Sequence, residues 1–87
     1  MDIGTQGEVN GIIFSMKSRK GGTYITFDNS EKVHFYPCRN YLYKKPFMFD
    51  FLQIGDQITK REGNDTLFVY RNGQEYYFVL GEIVNRK

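Results

Sequence analysis

Phe51-Leu52-Gln53-Ile54-Gly55-Asp56-Gln57-Ile58-Thr59-Lys60 sets a compact apolar segment against an alternating apolar and polar run, with Gly-Asp between the two. Glycine at position 55 suits a left-handed conformation that ends a helical turn, and the Asp56 carboxylate can accept bonds from nearby backbone amides as the chain reverses. The alternation that follows has the two-residue period of a half-buried strand. A helix-to-strand junction is therefore expected here. Asp56 is read as a turn-setting residue, because no acid, base or metal partner stands at a spacing that would make it catalytic.

Working back from this junction, Phe47, Met48, Phe51 and Leu52 fall on one face of a short helix, with Pro46 suited to its first position. Three strands are expected ahead of it, over residues 8–16, 23–27 and 32–36, each rich in β-branched and aromatic residues. Gly11 inside the first predicts a bulge or sharp coil. Residues 17–22 read as a polar loop with Gly21-Gly22 at its tip, and residues 28–31 as the turn of a hairpin. Working forward, strands are expected over 56–61, 66–71 and 74–80, with a tail over 82–87. Asn72-Gly73 between two aromatic and β-branched runs is the strongest local signal for a type I′ hairpin.

The chain of 87 residues is one domain, 1–87, with no room for a second core. Its expected stability is about 4 to 13 kcal/mol. No apolar run is long enough to span a bilayer as a helix. No charged and apolar leader opens the sequence, so the cytoplasm is the default compartment; a leader or anchor ahead of Met1 would move it to the cell envelope. Cys38 is the single cysteine, which excludes an internal disulfide and any cysteine-cluster metal site, and it is expected to be a small apolar residue, partly buried. Residues 17–45 hold seven cations and two carboxylates, a net +5, and the remainder five cations and eight carboxylates, a net −3. Such asymmetry can make a basic face, and it also arises on ordinary solvated surfaces.

The order β-β-β-α-β-β-β, with a glycine in the first strand and Gly55-Asp56 leading into the fourth, resembles an OB-fold barrel over residues 7 to 71. The expected fold class is thus all-β with one short helix, an OB-like small barrel of five to six strands in which the helix plugs one end. The tracts Ile54-Gly55-Asp56-Gln57-Ile58-Thr59-Lys60 and Val69-Tyr70-Arg71-Asn72-Gly73 also resemble the endings of small bacterial domains that have no assigned activity, some of which follow a lipoprotein or membrane-anchor segment.

The OB resemblance implies binding of single-stranded nucleic acid or oligosaccharide on the second and third strands and the loop before them. Lys17, Arg19, Lys20, Tyr24, His34, Tyr36 and Arg39 are the expected binding residues: cations for phosphate, rings for stacking. Pleat alternation turns Tyr24, His34 and Tyr36 outward and Phe27 and Phe35 inward, so core packing claims much of the aromatic content. Tyr41, Tyr43, Phe47 and Phe49 form a dense apolar region whose first expected role is the barrel plug. Any of its rings left exposed would suit a protein partner or a homodimer, and the last two strands leave an edge open to pairing. His34, the one histidine, has no metal-ligand spacing around it, and no nucleophile motif or phosphate loop is present. The expected function is a binding or interaction module, not an enzyme, with no cofactor or metal. Protein interaction or self-association is the first reading and single-stranded nucleic acid the alternative.

Overall fold

The computed structural model describes residues 8–20 and 22–86; Gly21 of the expected loop tip lies outside them. The elements in chain order are β1 (Val9–Arg19), β2 (Gly22–Phe27), β3 (Lys32–Phe35), β4 (Arg39–Asn40), α1 (Met48–Phe51), β5 (Gln57–Lys60), β6 (Thr66–Arg71), β7 (Gln74–Val79) and β8 (Ile83–Val84). This is an all-β domain with one short helix. Six strands form a single sheet in the order β3-β2-β1-β5-β6-β7, and β4 and β8 pair in parallel beside it.

β1 is the spine of the sheet. Its first half pairs with β5, from Val9 opposite Lys60 to Ile12 opposite Gln57, and its second half pairs with β2, from Ser15 opposite Thr26 to Arg19 opposite Gly22. Between them the register with β2 shifts at Ile13/Ser15, leaving Phe14 as the extra residue of a bulge. The bulge thus falls three residues beyond Gly11. Gly11 serves a close approach instead: a Cβ there would stand 2.6 Å from the Phe27 ring. The pairing of Lys17 and Arg19 with β2 also replaces the expected loop by strand. Their polar side chains masked it, since this end of the ladder is exposed on its outer side.

The core gathers the inward residues of every long strand, with Phe27, Phe35, Ile58, Leu67, Val69 and Phe78 all at 1% exposure or less. α1 is one turn long and adds Met48 and Leu52 to this core, both buried. It starts later than Pro46 suggested, because Phe47 keeps an extended backbone (φ −72°, ψ 130°) and forms a bridge with Arg39. It also ends at Leu52, ahead of Gly55. Gly55 instead sets the turn Gln53–Asp56: its φ is +99°, and the Asp56 amide donates to the Gln53 carbonyl at 3.1 Å. The Asn72-Gly73 turn has positive φ at both residues, 53° and 78°, as a type I′ hairpin requires.

No ladder joins β3 to β7, so the sheet does not close on itself through those strands. The segments that follow them meet instead, Arg39 opposite Ile83 and Asn40 opposite Val84, which gives structure to what reads in sequence as a tail. Asn40 is fully buried and ties this junction together. Its amide donates to the Tyr77 carbonyl at 2.8 Å, while its oxygen accepts from the Leu42 backbone and from Asn85. The Tyr77 amide in turn donates to the Tyr43 hydroxyl at 2.9 Å. The β7 edge is therefore occupied at Tyr77, so it does not lie open along its length for strand addition.

Candidate binding face on β1, β2 and β3

Backbone register decides which side chains share the outer face of the three-stranded end. Lys17 stands opposite Tyr24 and Tyr24 opposite His34, making one continuous row across β1, β2 and β3. Ser15, Thr26 and Lys32 form the row on one side of it. Arg19 opposite Gly22, with Tyr36 just past the end of β3, forms the other side. None of these outward positions is acidic.

The rings of Tyr24 and His34 stack with centroids 4.1 Å apart and planes 15° from parallel, and Tyr36 meets His34 edge-on at 6.2 Å. The imidazole lies over Gly22, where any Cβ would meet Nε2 at 2.6 Å. Gly22 is thus a buried strand residue under the histidine ring, not a loop tip. The Tyr24–His34 pair makes a ridge between two shallow depressions. One, of about 320 Å³, is lined by Ser15, Met16, Thr26 and Lys32; the other, of about 400 Å³, by Arg19, Lys20, Tyr36 and Pro37. Lys20, exposed at φ +53° in the turn, lines the second depression.

Of the expected binding residues, Lys17, Arg19, Lys20, Tyr24, His34 and Tyr36 come together here, and Arg39 does not. It lies in β4 with its guanidinium 4.3 Å from the Phe47 ring centroid and an N–H donated to the Tyr41 hydroxyl at 3.2 Å. Around it Tyr41, Leu42, Phe47 and Ile83 are exposed, Leu42 most of all at 62%. The expected apolar region divides at this point. Tyr41 and Phe47 are on the surface, whereas Phe49 is half-buried and Tyr43 packs against Phe51, Tyr76 and Phe78 in the aromatic end of the core. A cleft of about 480 Å³ beside Phe47 reaches Cys38 and Met48. Cys38 is buried, its thiol donating toward the Met48 sulfur at 3.5 Å, and burial pushes its pKa up to about 12. At neutral pH it is an inert thiol.

Asp56 carries a contact that sequence reading misses. Its carboxylate accepts from the Gln53 backbone at 2.9 Å, as a turn-setting residue should, and it also receives a two-pronged bond from Arg71 at 2.8 and 2.6 Å. Arg71 reaches on to the Phe51 carbonyl and lies over the Phe51 and Tyr76 rings. The hydrogen bonds to Asp56 raise its pKa further, so it is charged at every working pH. Lys60 is buried as well, and its ammonium donates to the carbonyls of Arg61 and Asn64, holding the turn between β5 and β6. Burial lowers its pKa. Among the described residues, no three of His, Cys, Asp and Glu converge as a metal site would need, and no helix is long and apolar enough to cross a membrane. Set against known proteins, the chain matches no family model, no curated protein and no solved structure.

Proposed function

We propose that this domain is a non-enzymatic binding module that holds single-stranded nucleic acid along the outer face of β1, β2 and β3, on an OB-like scaffold. The row Lys17–Tyr24–His34 carries the proposal, because it sets a cation and a stacked ring pair in register, with no carboxylate in it or in the rows beside it. Lys17, Arg19, Lys20 and Lys32 supply sequence-independent attraction to phosphates. A base seated against an exposed ring contributes about 1 to 3 kcal/mol. The depressions on either side of the ridge give bases a place to lie. A shallow face of this kind supports weak binding.

Titration of fluorescent oligo-dT and oligo-rU at low salt tests this. Binding is expected in the range of about 1 to 100 μM, weakening steeply as salt rises, with a salt slope smaller by about one unit for Lys17→Ala or Arg19→Ala. Absence of binding at about 100 μM protein retires the proposal. A second reading has its own observation: the exposed Tyr41, Leu42, Phe47 and Ile83 around Arg39 form an apolar patch with a preoriented guanidinium, a composition suited to a protein partner. Contact there would hardly respond to salt.

A further inference from the structure

A second apolar surface adjoins the first of these sites where β1 bulges, and the fold gives no account of it. Phe14, the extra residue of the β1 bulge, is 67% exposed, and Ile54, within the Gln53–Asp56 turn, is 68% exposed. Both sit where the backbone is irregular and a polar residue would serve the local structure equally well. The two are adjacent: Ile13, beside Phe14, accepts from the Gly55 amide and donates to the Asp56 carbonyl. Ile12, opposite Gln57, and Tyr70, also opposite Gln57, continue the surface across β1, β5 and β6. Ile12, Ile54 and Tyr70 line a common depression rimmed by the uncharged Gln53, Gln57 and Asn72.

We infer that this surface is a self-association interface whose occupant is a second copy of the same chain. Its electrostatics permit that occupant. The charged groups in the depression, Asp56 and Arg71, neutralise one another through their bidentate pair, so the centre of the surface carries no net charge. A two-fold interface places a patch against itself, and a centre without net charge, flanked by exposed apolar side chains, meets its own copy without repulsion. The β1–β3 face, with its four cations, is barred from that arrangement. Asp28, whose amide bonds the Ile12 carbonyl, and Glu75, opposite Tyr70, border the surface as exposed acids. In the dimer they stand at the rim, where salt screens their repulsion.

The size fits a weak dimer. The exposed parts of Ile12, Phe14, Ile54 and Tyr70 amount to roughly 400 Å² of apolar surface, within the range of functional patches on small proteins. With the amide rim added, each partner approaches the lower end of the area that specific interfaces bury. Such a dimer assembles as concentration rises and is not held shut at all dilutions.

Sedimentation equilibrium of the full chain from about 10 μM to about 1 mM tests the proposal. The mass-average is expected to climb from 10.3 kDa toward twice that value, equally or more readily at high salt. Phe14→Ser and Ile54→Asp alter exposed side chains, so both variants should melt like the parent, and each should weaken self-association at least about tenfold. On dilution, amide NMR shifts should move at Ile12, Phe14, Ile54 and Tyr70. A single 10.3 kDa species at every concentration overturns the proposal. So does a dimer that survives in both variants, or one whose shift changes map to Tyr41, Leu42 and Phe47.

Discussion

Replacing Arg71 with Met puts the Asp56–Arg71 pair to a direct test. The carboxylate is 3% exposed and the guanidinium side chain 20%, so Arg71→Met leaves a buried charge that, among the described residues, keeps the Gln53 amide as its donor. Removing one partner of a fully buried pair costs about 3 to 5 kcal/mol; because solvent reaches this arginine, the lower figure of about 3 kcal/mol applies. The lost bond to the Phe51 carbonyl acts in the same direction, while the thioether keeps part of the packing on the Phe51 and Tyr76 rings. Against a total of about 4 to 13 kcal/mol that is a large fraction, and the melting temperature should drop by about 12 to 24 °C. Asp56→Asn should cost less, about 1 to 2 kcal/mol, because the amide oxygen still serves Gln53 and the freed guanidinium can be hydrated. The double variant should then lose at least about 1 kcal/mol less than the two single losses combined, since its second change removes a group already left without its partner. Guanidinium unfolding followed by circular dichroism measures the whole cycle. An Arg71→Met variant within about 0.5 kcal/mol of the parent, or strict additivity in the double variant, would refute the structural role given to the pair.

Gly11→Ala should destabilise the domain by about 1 to 3 kcal/mol, because the added methyl collides with the Phe27 ring 2.6 Å away and the ring is wedged in the core; urea unfolding with an unchanged midpoint would count against this. Burial raises the Cys38 pKa from 9.0 to about 12, and it raises that of Tyr43 from 10.0. Both groups are held neutral by the fold; the Cys38 contribution is complete below pH 9 and is lost as pH rises toward 12, and that of Tyr43 falls in the same direction above pH 10. Melts between pH 8 and 11 should therefore show falling stability above pH 9, and Cys38→Ala should flatten that fall; a variant with the parent's pH slope would contradict the burial argument.

Much of the strand plan is legible along the chain because alternation records which face each residue buries. Tyr24 outward and Phe27 inward, Val33 and Phe35 inward, and the Asn72-Gly73 hairpin all follow from local pattern. Where local polarity and pairing disagree, pattern fails. Lys17 and Arg19 look like loop residues, yet β2 supplies their backbone bonds. Ile83 and Val84 are too short a run to signal a strand, and they become one only because buried Asn40 fastens the neighbouring segment. The candidate face shows the same division. Its residue types are visible in the sequence, but that Arg39 leaves it and Gly22 underlies it depends on how β4 and β2 are placed.

The Gly55-Asp56 tract gathers both sides of this. The sequence alone determined that the chain must turn there, because glycine permits the positive φ and a following carboxylate can accept a turn amide. Only the tertiary structure decided that Asp56 is also the buried partner of Arg71, fifteen residues away across the β5–β6 pair. A turn is a local matter of φ and one hydrogen bond. A buried ion pair exists only where two strands, each folded for its own reasons, bring opposite charges out of water together.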